Sequence, residues 1–241
     1  MIKNEVRVYK DTGSLSYGFT QFILDEVIDK KQKVNISLSG GATPRDVFDY
    51  WSKECQEQLP WDKMSFFWGD ERCLPPKDEK SNFGMAKTHL FDHINMPSNN
   101  IFRIHGENQP EQEAIRYSEV LRKNLPIKNK TPYFDLIILG LGEDGHTVSI
   151  FPDQIELWDS PNICTMSRQP ETNLPRITVT GKIINNSEKV VFLVTGETKS
   201  KIVQAIIQNR DLFTDKYPAA KASPVNQKIY WFLDKEAAKL L

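Results

Sequence analysis

An α/β fold with a mainly parallel central sheet flanked by helices is predicted by three features of this sequence. The first is an almost unbroken apolar run, Phe134, Leu136, Ile137, Ile138 and Leu139, too short for a helix and suited to a strand buried on both faces. The second is alternation, because segments of strand character are separated by segments whose apolar residues recur every three or four positions. The third is that the apolar runs end in short polar loops rich in glycine, and in open α/β sheets ligands bind at the carboxyl ends of the strands.

Val6 to Tyr9 reads as an opening strand, and Leu15, Phe19, Phe22, Ile23 and Val27 make Ser14 to Ile28 a helix with one buried face. Val34, Ile36 and Leu38 alternate as a strand that ends in Ser39-Gly40-Gly41-Ala42-Thr43-Pro44. A helix carrying Val47, Phe48 and Trp51 follows, with Thr43 as the expected N-cap and Pro44 in its first turn. Met64 to Trp68 is a third strand, followed by a charged loop, Asp70-Glu71-Arg72. Ser81 to Phe91 is a helix capped by Ser81-Asn82, Ile101 to Ile104 a weak strand, and Pro110 to Leu125 a helix. Beyond the Phe134 run, Thr147 to Phe151 holds barely a turn before Pro152. Strands are expected at Asn162 to Met166, Arg176 to Thr180, Val190 to Val194 and Ile229 to Leu233. A helix with Ile202, Val203, Ile206 and Ile207 on one face follows Lys199, which lies in its first turn; Arg168 to Pro175 and Asp215 to Pro224 are loops. Glu236 to Leu241 reads as a short terminal helix.

At 241 residues the chain is long enough for one large α/β domain or two small ones, and core size is no constraint. Its net charge of -1 gives no reason to expect a nucleic acid partner, while a single small anion needs only a local basic cluster. The three cysteines, Cys55, Cys73 and Cys164, have neither metal-ligand spacing nor the look of a disulfide framework, which points to a reducing compartment. No stretch has signal-peptide or membrane-spanning character, so a cytoplasmic protein with no membrane partner is expected.

The chemistry concentrates in Gly140-Leu-Gly-Glu-Asp-Gly-His146. Gly140-x-Gly142-x-x-Gly145 matches a dinucleotide fingerprint, but Pro152 ends any helix after it and Glu143 and Asp144 would repel a pyrophosphate. His146 is the better clue, an imidazole able to act as general base on water, with Asp144 placed to orient the ring or to sense the substrate. Arg72 is the candidate anion ligand, held by Asp70 or Glu71. The amides around Gly40 and Gly41 resemble a phosphate cradle ahead of a helix, and Lys199 at a helix start has a motive in an anionic ligand. His89 and His93 stand four apart, but no further ligand completes a metal shell.

Ser39-Gly-Gly-Ala-Thr-Pro44, Trp68-Gly-Asp-Glu-Arg-Cys-Leu-Pro75, Ser81-Asn82, Leu139-Gly-Leu-Gly-Glu-Asp-Gly-His146 with Phe151-Pro152, Arg176-Ile-Thr178 and Thr195-Gly-Glu-Thr-Lys199 together resemble the family of 6-phosphogluconolactonases and glucosamine-6-phosphate deaminases. They occur in the family's order and cover nearly the whole chain. The resemblance implies a single domain over residues 1–241 with a three-layer Rossmann-like fold. It also implies hydrolysis of 6-phospho-glucono-1,5-lactone in the oxidative pentose phosphate pathway, without metal or organic cofactor. Oligomeric state stays open between monomer and homodimer. His146 and Asp144 are the implied catalytic residues; the implied substrate and phosphate ligands are Ser39, Gly40, Gly41, Thr43, Arg45, Asp70, Arg72, Gly142, Arg176 and Lys199.

Deaminases carry a Glu five residues after the histidine, where this chain has Phe151, which favours the lactonase branch. The alternatives are an amino-sugar-phosphate deaminase or isomerase and a non-catalytic sugar-phosphate sensor. Two departures stand out: Val148 where an alanine is usual, and Cys73-Leu74 in place of a more common Arg-Val-type pairing.

Overall fold

The computed structural model describes residues 2–29 and 31–241. In chain order the strands are β1 (Lys3–Tyr9), β2 (Val34–Leu38), β3 (Met64–Trp68), β4 (Asp70–Arg72), β5 (Ile127–Lys128), β6 (Thr131–Pro132), β7 (Leu136–Leu139), β8 (Cys164–Arg168), β9 (Pro175–Val179), β10 (Lys189–Val194) and β11 (Lys228–Asp234). The α-helices are α1 (Thr12–Phe22), α2 (Ala42–Glu54), α3 (Asn82–Ala86), α4 (Pro110–Asn124), α5 (Gly181–Ile184) and α6 (Ser200–Asn209).

Six strands form the central sheet in the order β1-β11-β10-β7-β2-β3, and every neighbouring pair is parallel. The two central strands β2 and β7 are buried from end to end, which is why β7 reads as continuous Leu-Ile-Ile-Leu rather than as an alternation. The chain passes outward from β2 to β3, then returns to β7 and proceeds the other way through β10 to β11. The order therefore reverses between β2 and β7, the place where an open sheet leaves a crevice at its carboxyl edge. Helices flank the sheet. α1 and α2 pack on each other and on β11 and β10, joined by Phe19, whose ring lies 6.2 Å from Trp51 and 5.1 Å from Phe232. Tyr117 of α4 is fully buried, and its hydroxyl accepts from the Trp68 amide (2.8 Å) and donates to the Trp68 carbonyl (3.0 Å), satisfying the backbone where β3 ends.

The two longer predicted helices near the N-terminus and at Ser81 exist, each as an α-helix finished by a wider π turn, Ile23–Ile28 and Lys87–Phe91. The first starts earlier than expected because Asp11 caps it, accepting from the Ser14 amide (2.8 Å). Other expectations are corrected. Thr43 is not the N-cap of α2; Gly41 holds that position with φ 105°, a left-handed conformation that glycine adopts without steric cost. The charged segment Asp70–Arg72 is a strand, because β9, more than a hundred residues later, pairs with it antiparallel. Together β4, β9 and β8 form a second sheet, and that pairing also shifts β8 two residues later than predicted. Ile101 makes one bridge to Phe66, after which the chain turns away, so no strand runs to Ile104. The hairpin β5–β6 was not predicted; its turn residues Asn129 and Lys130 both have positive φ (53° and 60°), and Asn-Lys is a weaker turn signal than Asn-Gly. Glu236 to Leu241 forms only turns, being too short to sustain a helix of its own. Among the described residues no helix is long and apolar enough to cross a membrane.

Candidate active site

A cleft of about 350 Å³ opens over the carboxyl ends of β2, β7 and β10, with the segment after β3 and the start of α3 as its far wall. It is lined by Ser39, Gly40, Gly41 and Thr43 after β2, and by Asp70 and Arg72 of β4. Asn82, Gly142, His146 and Val148 line it too, as do Thr195 and Lys199 beyond β10. Parallel strands put all these loops on one edge; an antiparallel sheet would have sent alternate loops to the opposite side.

The loop after β7 carries a carboxylate–imidazole pair. Asp144 Oδ1 lies 2.6 Å from His146 Nδ1 and also accepts from the His146 amide (3.1 Å). Burial works to raise the Asp144 carboxyl, but the hydrogen bonds and charge of His146 outweigh it and hold the group below its ordinary value. An ionised Asp144 assigns the proton to Nδ1, leaving Nε2, which no described residue engages, with a free lone pair. The pair lies directly over Gly142: a Cβ there would come within 2.1 Å of His146 Nδ1 and 2.4 Å of Asp144 Oδ1, so only glycine fits. On the other side the Phe151 ring packs at 4.8 Å from the imidazole.

The same cleft holds two cations, Arg72 and Lys199. Arg72 was expected to be held by Asp70 or Glu71; neither engages its guanidinium, although Glu71 Oε1 accepts from the Arg72 amide (2.7 Å). Its Nη1 donates to the Lys80 carbonyl, and its buried Nε has no partner among the described residues. Asp70 instead accepts from Ser149 Oγ (2.5 Å) and, through its carbonyl, from Asn82 Nδ2 (2.9 Å). Glu71 is 2 % exposed and turns away from the cleft to close the N-terminus of α3, accepting from the amides of Asn82 (2.8 Å) and Phe83 (2.8 Å) and from Ser81 Oγ (3.0 Å). Burial pushes its carboxyl up, against the pull of those backbone donors. Lys199 ends a short 3-10 turn and stands at the N-cap of α6 rather than within its first turn; among the described residues its acid partner is exposed Glu143, 3.8 Å away.

Two other expected ligands stand apart from the lining. Arg45 is exposed and pairs with Asp46 (3.3 Å). Arg176 is the cross-strand partner of Arg72 but does not line the cleft; burial and then the charge of Arg72 lower its pKa, and its buried Nε is also unpartnered. Sequence reasoning overlooked Asn82 as a wall of the cleft, reading it only as part of a helix cap. Ser81 is the cap, accepting from the Gly84 amide (3.0 Å), while the Asn82 side chain reaches Asp70. It overlooked Thr195 as well, which bonds to Thr43 (2.7 Å) and ties the loop after β10 to α2. Outside the cleft, His89 pairs with Asp49 (2.9 Å) and His93 with the Thr88 carbonyl (2.9 Å).

Residues 18–231 match the family model described as glucosamine-6-phosphate isomerases/6-phosphogluconolactonase. The chain is 43% identical over 235 residues to a 6-phosphogluconolactonase of Haemophilus influenzae, covering 94% of this chain and 99% of the relative. It is 37% identical over 199 residues to one of Treponema pallidum, covering 83% and 82% of the two chains. Among solved structures, the 6-phosphogluconolactonase of Trypanosoma brucei superposes with a TM-score of 0.83 at 26% identity, with 100% of both chains covered. A match over this much of the chain, in sequence and in fold, shows that the protein belongs to the glucosamine-6-phosphate isomerase/6-phosphogluconolactonase family.

Proposed function

We propose that this protein hydrolyses 6-phospho-D-glucono-1,5-lactone to 6-phospho-D-gluconate, the lactonase step of the oxidative pentose phosphate pathway, by general-base activation of water. The observation that carries the reading is the Asp144–His146 pair at 2.6 Å, whose imidazole lines a cleft that also holds Arg72 and Lys199. Its curated relatives bear the same activity in their names.

In this reading His146 Nε2 takes a proton from water and the resulting hydroxide adds to the lactone carbonyl carbon. Negative charge moves to the carbonyl oxygen, where backbone N–H groups of a glycine-rich loop are the donors; removing one such donor typically costs about a hundredfold in rate. Collapse of the intermediate breaks the bond to the ring oxygen, which receives the proton held on His146. Asp144 keeps the ring in the tautomer that leaves Nε2 free and stabilises the imidazolium while it exists. The 6-phosphate is gripped by Arg72 and Lys199 with the amides around Gly40 and Gly41, at the start of a helix where anions are favoured. Ser39 and Thr43 belong to that cradle, whereas Asp70 acts through Asn82 and Ser149 and Arg176 through its position beside Arg72. Arg45, paired with Asp46 outside the lining, has no part in it.

Freshly prepared phosphogluconolactone mixed with the protein in a stopped-flow instrument should be consumed far faster than its spontaneous hydrolysis. Equal rates with and without protein, together with a ligand-induced rise in Tm, would instead establish a non-catalytic binder. The deaminase alternative predicts ammonia from glucosamine 6-phosphate; Phe151 against His146, where deaminases carry a carboxylate, argues that none is released.

Gly142→Ala provides a sharper test of the loop. The added methyl must displace the Asp144–His146 pair, and misplacement of a reacting group by about 1 Å can cost about a hundredfold. We expect kcat to fall by that order with the thermal unfolding transition retained; a variant with normal kcat would show that the pair does not need its observed position.

A further inference from the structure

Two residues beyond His146 the backbone adopts a conformation that its own residue disfavours. Val148 has φ 49°, and a β-branched side chain with positive φ is a genuine outlier. It sits in a tight turn in which the Ile150 amide donates to the Thr147 carbonyl (3.1 Å). Only the first central residue has positive φ, a pattern that favours glycine at that position.

The strain persists because the flanking groups are fixed from all sides. Thr147 Oγ1 donates to the Gly140 carbonyl (2.8 Å), and Ser149 Oγ to Asp70 Oδ2 (2.5 Å). The Ser149 amide donates to Thr178 Oγ1 (3.2 Å), and Ser167 Oγ to the Ser149 carbonyl (2.5 Å). Backbone strain of this kind costs about 1–3 kcal/mol and survives only where the surroundings over-determine it. Glycine would relieve it, yet the position carries an isopropyl group that is 8 % exposed, faces the cleft lining and packs closely over Gly69, where a Cβ would come within 3.1 Å of Val148 Cγ1. The strain is thus tolerated for a side chain whose free surface is a wall of the cleft.

We infer that Val148 is a specificity-determining residue: the strained turn holds its isopropyl group as a steric wall beside His146, admitting a lactone with a hydroxyl on the carbon next to the carbonyl and rejecting a bulkier acylamino group there. The inference rests on the lactonase reading, in which the lactone carbonyl is brought to His146, two residues along the same loop from Val148 and in the lining of the same cleft.

The test compares kcat/KM for 6-phospho-glucono-1,5-lactone and for its 2-acetamido-2-deoxy analogue. Wild type should prefer the first. A single methylene in an apolar pocket is worth about 10- to 200-fold, so Val148→Ala and Val148→Gly should each reduce that preference by at least about tenfold. Val148→Thr, which keeps the shape, should retain it. Glycine suits the backbone even if the alanine variant proves unstable. An unchanged ratio in a folded Ala or Gly variant, or a Thr variant that loses discrimination as Ala does, overturns the steric wall while leaving the activity in place. A wild-type protein that consumes neither lactone overturns the lactonase reading and this inference with it.

Discussion

Replacing His146 with alanine is expected to reduce kcat for phosphogluconolactone by about 10²- to 10⁴-fold, the contribution general-base catalysis usually makes, with the rate approaching spontaneous hydrolysis. The fold should survive, because the imidazole is about one-third exposed and its partners are Asp144 and one face of Phe151 rather than the core. Thermal unfolding measured beside the coupled assay separates loss of chemistry from loss of structure; near-normal turnover in a folded variant would remove His146 from the mechanism. The pH dependence has a defined sign. Asp144 is held below its ordinary value because, against burial, the hydrogen bonds and charge of His146 favour the carboxylate. Its favourable contact with His146 is present above the ordinary carboxylate range and is lost as pH drops through its depressed folded-state value. Asp144→Asn should lower kcat by less than His146→Ala, since it removes the orienting charge and leaves the base.

Loss of the phosphate grip should show in a different constant. Arg72→Ala and Lys199→Ala are each expected to raise KM by about 10- to 100-fold with a smaller change in kcat, because hydrogen bonds to charged groups contribute about 1.5–3 kcal/mol and this contact lies away from the reacting carbon. Arg72 is the stronger of the two. Among the described residues its guanidinium has no carboxylate partner and its Nε no partner at all, whereas Lys199 is balanced loosely by Glu143 at 3.8 Å. Arg45→Ala should leave KM unchanged. If KM stayed level in both the Arg72 and Lys199 variants, the phosphate would have to bind elsewhere.

Periodicity and loop composition disclosed the six strands of the parallel sheet and the four longer helices, because burial on both faces leaves unbroken apolar runs and one-sided burial leaves a 3.6-residue repeat. The elements that were missed or misplaced owe their form to distant partners. Asp70–Arg72 has no apolar signal and becomes a strand through β9. The Ile101 segment, strand-like by composition, meets β3 at a single rung.

The candidate site divides along the same line. Residue types at the ends of strands pointed to His146, Asp144, Arg72, Lys199 and the Gly40–Gly41 turn, because glycine, titratable groups and cations in such loops have few structural reasons to be there. Which of them share a cleft, and what each touches, was settled by the fold: Glu71 closes α3 instead of reaching the Arg72 guanidinium, Asn82 becomes a wall, and Arg45 lies outside. The strain at Val148 belongs to the tertiary level as well, since it is imposed by the hydrogen bonds that tie Ser149 to Asp70, Thr178 and Ser167, up to 79 positions apart. Local sequence records what a residue can do; packing between remote segments decides which groups are left free to do it.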